Sequence, residues 1–143
     1  MRDQAILLIV LTSLAFCSAA LHQGSAYEPV VGTWRLYETG NDRSGGFNYV
    51  VQSVSESPAQ IIELGSEGKF KTNVSDPFFK SLYSSVRTYR VERITIDTYS
   101  IVYQARRGGK SSEFRQGLKL RNDTLQLNPL CSEGSHFSFV KVK

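Results

Sequence analysis

Cysteine is nearly missing from this chain, with two in 143 residues. Cys17 falls in an apolar N-terminal run, which leaves Cys131 alone in the remainder. One thiol closes no internal disulfide, so the fold must rest on its core. Histidine is equally scarce. His136 follows Cys131 by five residues, but two ligands with no second pair make a poor metal site. No apolar run reaches the ~20 residues that span a bilayer. The chain also has no Gly-x-Ser-x-Gly elbow, no clustered metal ligands and no phosphate-binding glycine loop. Its carboxylates, among them Glu56, Glu63, Glu92 and Glu113, are scattered, mostly beside turns or basic neighbours. A non-enzymatic protein is therefore expected, with no catalytic residues, no metal and no cofactor. No dozen-residue helical crossover is available either, which excludes a parallel sheet.

The first apolar stretch, Ala5 to Phe16, has the length of a signal-peptide core, ~7–15 residues. Ser18-Ala19-Ala20 offers small residues for cleavage after Ala20, and Gly24-Ser25-Ala26 offers a second position. Leu14-Ala15-Phe16-Cys17 competes as a lipobox whose Cys17 would be acylated, although Phe16 is bulky where that motif wants a small residue. The expected organisation is a signal peptide over 1–20 (or a lipoprotein signal ending before Cys17), a flexible tether over 21–28, and one folded domain over 29–143. Export follows, with a secreted or periplasmic protein as one outcome and a membrane-anchored lipoprotein as the other.

Without the leader about 120 residues remain, enough for a single core. The leader carries one basic and one acidic residue, so the net charge stays +4. The cations, Arg87, Arg90, Arg93, Arg106, Arg107, Lys110, Arg115, Lys119 and Arg121, are spread over several strand-like runs. Nucleic-acid binding would want them on one face with aromatic platforms, so no nucleic-acid partner is expected. Attraction to an anionic membrane or polysaccharide stays open.

From Val30 onward the pattern alternates and turns repeatedly. Val30, Gly32, Trp34 and Leu36 share one face of an extended strand, and Thr33, Arg35 and Tyr37 the other. Residues 41–46 read as a turn and 47–54 as a second strand. Residues 61–64 and 69–72 flank Gly65-Ser66-Glu67-Gly68 as a tight hairpin. Further strands read over 86–94, 98–106, 112–120, 124–127 and 136–142, punctuated by Gly108-Gly109, Asn122-Asp123 and Glu133-Gly134. Asp76-Pro77 is a helix start, and Phe78, Phe79, Leu82, Tyr83 and Val86 follow at helical spacing. The fold class is all-β: an antiparallel up-and-down barrel of eight or nine strands with one short helical segment across its mouth.

Strand parity gives the interior. Tyr89 and Val91 share a face, as do Tyr99, Ile101 and Tyr103, then Phe114, Leu118 and Leu120, and finally Phe137 and Phe139. Tyr89, Tyr103 and Phe114 are the candidate ligand-binding wall, with Phe79 and Tyr83 in its helical cover. Eight strands leave an interior barely wide enough to choose between a cavity and a barrel filled by its own side chains. The single tryptophan, Trp34, fits a plug at the closed end, beneath a basic side chain from a distant strand. Gly32 beside it permits a bend or a close approach.

Gly32-Thr33-Trp34-Arg35-Leu36 resembles the Gly-x-Trp motif of lipocalins and the wider calycin superfamily. With the Gly65-to-Phe70 hairpin, Asp123-Thr124-Leu125-Gln126-Leu127 and the Cys131-to-Val140 segment, the chain resembles the short bacterial lipocalin-like domains of exported proteins. The resemblance implies a lipocalin-like barrel in a bacterial cell envelope and assigns Gly32 and Trp34 a structural role in barrel closure. Family members often carry Cys-x-Glu-Gly-Cys near the end. Ser135 stands at the second cysteine here, so that short disulfide is lost.

Two functional readings stand open. In one, the barrel binds a small apolar or amphipathic ligand. In the other, a filled barrel meets an envelope protein or glycan through its loops. In both a monomer is expected, with the membrane touched only through a lipid anchor if Cys17 is acylated.

Overall fold

The alternation that opens at Gly32 becomes strand β1, Gly32–Asp42, in the computed structural model, which describes residues 28–42, 48–95, 99–129 and 134–143. The leader, most of the tether, Cys17 and Cys131 lie outside those residues. After β1 come β2 (Tyr49–Ser53), β3 (Ile61–Leu64), β4 (Phe70–Thr72), helix α1 (Pro77–Tyr83), β5 (Val86–Arg93), β6 (Tyr99–Arg107), β7 (Lys110–Arg121), β8 (Thr124–Asn128) and β9 (His136–Lys141). All pairings are antiparallel. The order around the sheet is β4-β3-β1-β9-β8-β7-β6-β5. The two outer strands approach each other: the Tyr89 N–H donates to Gly68 O at 2.8 Å, and Lys69 bridges Thr88. The result is a nearly closed, eight-stranded, up-and-down barrel. The ninth strand, β2, shares the β3 side of β1, with β3 taking Gly32–Arg35 and β2 taking Glu38–Asp42.

Two local departures from the sequence reading have physical causes. Asn41 and Asp42 look like turn residues, yet they pair with Val50 and Tyr49 and extend β1. Cross-strand bonding overrides their weak strand preference. Val86 continues the helical spacing of α1 but begins β5, opposite Ala105. The helix ends at Tyr83 because strand pairing captures the chain three residues later.

A register shift between Leu36 and Glu38 resets which side of β1 faces in. Leu36 lies opposite Phe139, and beyond the shift Thr39 lies opposite Phe137. Glu38 and Gly40 consequently share the outer face with Ser138 and His136. On β6, Ile101 and Tyr103 point inward. Val102 between them faces outward and is still fully buried. Its cross-strand partners are Arg90 and Arg115. Arg90 holds Glu113 with both terminal nitrogens, at 2.8 and 3.0 Å, and Glu92 through Nε at 3.1 Å. Arg115 pairs with Glu92 and lies 3.8 Å from Glu113. The aliphatic stems of this ion-pair ring roof Val102.

Trp34 is fully buried in the core. Its Nε1–H donates to Val30 O at 2.7 Å, which ties the indole to the 3-10 turn Glu28–Val30. Lys141 Nζ sits 5.3 Å from the ring centroid, within cation–π range. Gly32 has φ +141°, and a Cβ there would meet Lys141 Cε at 3.1 Å. The positive φ favours glycine there, and Lys141 would have to give by a few tenths of an ångström to admit a Cβ.

Candidate functional site

At the opposite end of the barrel α1 closes the mouth. Asp76 caps it, accepting the Phe79 N–H at 2.8 Å, and Pro77 occupies the first turn. Phe79 and Tyr83, four apart, fall on one helix face and are both buried. They do not merely lie across the opening but insert into it. Phe79 stacks on Tyr83 at 4.0 Å and meets Phe137 edge-on at 4.9 Å. Tyr83 meets Tyr103 edge-on at 5.3 Å, and Tyr103 contacts Phe114 at 5.2 Å. Edge-to-face and offset arrangements of this kind are the favoured ones for aromatic pairs.

The phenol groups within this cluster are treated differently. The Tyr83 hydroxyl donates to the buried Gln116 Oε1 at 2.6 Å, and the Tyr89 hydroxyl to Gly65 O at 2.9 Å. The Tyr103 hydroxyl is buried with no hydrogen-bond partner among the described residues. Burial pushes Tyr89 up to about 12. It holds Tyr103 well above the ordinary phenol value, with Tyr83 and Tyr89 adding to the effect.

Of the five residues expected to line or cover a ligand, Phe79, Tyr83, Tyr89 and Tyr103 are buried, and they belong to one continuous hydrophobic core. Phe114 alone is half-buried. It borders a groove of about 590 Å³ between the outer side of α1 and the β6–β7 hairpin. Phe78, Leu82, Ala105, Phe114 and Pro129 give this groove its apolar walls. Ser81, Ser85, Ser112, Gln116, Arg107 and Arg115 supply the polar rim. A second groove, of about 450 Å³, runs along the other side of α1, and its lining includes Lys71, Lys80 and Arg87. Neither lining contains a carboxylate. Parity cannot find such grooves, because they lie outside the barrel, where α1 meets strands distant in sequence.

A polar cluster missed by the sequence reading occupies the outer face over β1, β2 and β9. His136 Nε2 lies 3.0 Å from Glu38 Oε1, and its Nδ1 is hydrogen-bonded to the Tyr49 hydroxyl. The carboxylate selects the tautomer with hydrogen on Nε2, so Nδ1 accepts from Tyr49. Tyr49 also stacks on the imidazole at 5.6 Å. Both groups sit over Gly40, where a Cβ would overlap them. Burial, with the Glu38 charge adding to it, raises the Tyr49 phenol above its ordinary value. The hydroxyl therefore stays protonated near neutral pH. These groups come from positions 38, 49 and 136, and no local motif announces them.

Among the described residues no group of three or more His, Cys, Asp or Glu side chains is placed to hold a metal. No helix among them is long and apolar enough to cross a membrane. No family model, no curated protein and no solved structure matches this chain.

Proposed function

We propose that this chain is an exported, non-enzymatic lipocalin-like module that binds a small amphipathic molecule at the helical end of its barrel. The observation that carries this reading is the groove between α1 and the β6–β7 hairpin. Its volume, about 590 Å³, lies within the range of small-molecule sites. Its apolar walls suit a hydrocarbon or ring system, and its serine and arginine rim suits a polar end. The buried interior aromatics support a seat outside the barrel rather than within it. Kinship with the lipocalin-like domains is part of the proposal. It is supported by the nearly closed meander and by Gly32 and Trp34 beneath Lys141.

Titration with N-phenyl-1-naphthylamine, a neutral dye that brightens in apolar sites, tests the reading. Saturable binding by wild type, lost in Phe114→Ser with an unchanged circular dichroism spectrum, is the expected result. No saturable binding by folded wild type, or full binding by the folded variant, would overturn it.

A further inference from the structure

The chain order gives α1 one cation, Lys80, but the fold assembles more around it. Arg87 lies in the groove on one side of the helix and Arg107 in the groove on the other. Arg106 precedes Arg107, and Lys110 is its direct cross-strand partner in the β6–β7 hairpin. None of Lys80, Arg87, Arg106, Arg107 and Lys110 has an ion-pair partner among the described residues. The nearby acids are already engaged: Asp76 caps the helix, and Glu113 is held by Arg90. Among these cations Phe78 stands 37% exposed, stacked on Phe137 at 5.9 Å.

We propose that this end of the barrel docks on an anionic phospholipid surface, with Lys80, Arg87 and Arg107 facing the headgroups and Phe78 reaching into the interface. Charge complementarity carries the inference. Cations without an ion-pair partner among the described residues flank α1 in grooves whose linings hold no carboxylate. Arg87 donates only to the backbone oxygens of Ser84 and Val86. On the barrel wall Arg90 and Arg115 are tied to Glu92 and Glu113. Lys119, Arg121 and Lys143 at the opposite end, also without ion pairs among the described residues, serve as the control for bulk charge. Each cation near an anionic leaflet contributes about 1 kcal/mol, falling off within a Debye length, and a half-exposed aromatic adds interfacial affinity. This docking shares Phe78 and Arg107 with the groove but needs no molecule in it, so it can hold where the groove reading fails.

Co-sedimentation of the full chain with vesicles decides the matter. Phosphatidylcholine alone is compared with phosphatidylcholine containing phosphatidylglycerol. The apolar run at residues 5–16 is common to every sample, so the readout is the difference between the two compositions. Wild type should prefer the anionic vesicles, and the preference should fall as salt rises. The triple variant Lys80→Gln/Arg87→Gln/Arg107→Gln should lose roughly a hundredfold in that preference. Lys119→Gln/Arg121→Gln/Lys143→Gln removes equal charge at the opposite end and should lose little. Phe78→Ser should weaken binding several-fold. Equal losses in the two triple variants would mean bulk charge alone and would overturn the proposal. Absence of an anionic preference in wild type would do the same. So would full displacement by inorganic phosphate at constant ionic strength, which would identify a site for a free anion.

Discussion

The two ends of the barrel are closed by different means. At one lies a single fully buried indole, held by one hydrogen bond and one overlying cation. At the other, seven residues of helix insert two aromatic rings, and several unpaired cations surround the seam. A rigid plug leaves little surface to vary, whereas a helix laid against strands leaves a groove on each side. The barrel therefore concentrates buried, confined packing at Trp34 and open groove surface at α1.

The largest test of that contrast is truncation of the plug against truncation of the helix. Trp34→Ala removes a fully buried indole and its tie to Val30, and should cost about 3–5 kcal/mol in urea unfolding. Phe79→Ala should cost about 3 kcal/mol, because the helix is part of the core and no detachable lid. A Phe79→Ala variant with an unchanged midpoint would show that α1 opens independently, and the comparison would fail.

The glycines sharpen the same contrast at smaller scale. Gly32→Ala places a Cβ at φ +141° against Lys141, and should cost about 1–3 kcal/mol. Gly108, at φ +56°, has nothing within 4 Å of its Cβ position. Gly108→Asn at the hairpin tip should therefore stay within about 0.5 kcal/mol of wild type. Thermal melts of the pair would separate a confined end from a tolerant one.

Alkaline pH probes the helical end from inside. The fold holds Tyr89 near 12 against an ordinary 10.0, so folding favours the neutral phenol. That contribution is full below pH 10, declines as pH rises through the folded value, and is gone above about pH 12. Urea midpoints should fall across this window in wild type and fall less steeply in Tyr89→Phe. One buried hydroxyl gives an effect of the opposite sign. Tyr103→Phe deletes a buried hydroxyl without a partner, and should raise stability by about 1 kcal/mol. A loss instead would mean that the hydroxyl is satisfied.

The barrel was legible because its signals are local. Alternation through Trp34 and Leu36, the Gly108-Gly109 turn and the Asp76-Pro77 start each act within a few residues. Parity likewise placed Tyr103 and Phe139 on inward faces. The register shift after Leu36 was hidden, because it depends on the partner strand β9 rather than on β1 alone. The Glu38–His136–Tyr49 cluster was hidden for the same reason, with the tyrosine and the histidine 87 positions apart. Aromatic parity could name ring faces but could not tell a lined void from packed rings. The α1 grooves depend on side chains from three separate elements, and only tertiary packing brings those together.

The ring is sealed by its first and last strands: β1 pairs with β9 over residues 34–40 and 136–141. The β1–β3 junction skips over β2, the β4–β5 seam skips over α1, and every other junction joins strands consecutive along the chain. As the polypeptide emerges from a ribosome or a translocation channel, its hairpins can form one after another. The N-terminal strand must nevertheless wait, one edge unsatisfied, for almost the entire domain to appear. A stall or a cut anywhere before His136 leaves an open ribbon with two bare edges, and such a ribbon invites pairing with other chains. The tempo at which the last eight residues are delivered thus governs whether a molecule closes on itself or on its neighbours.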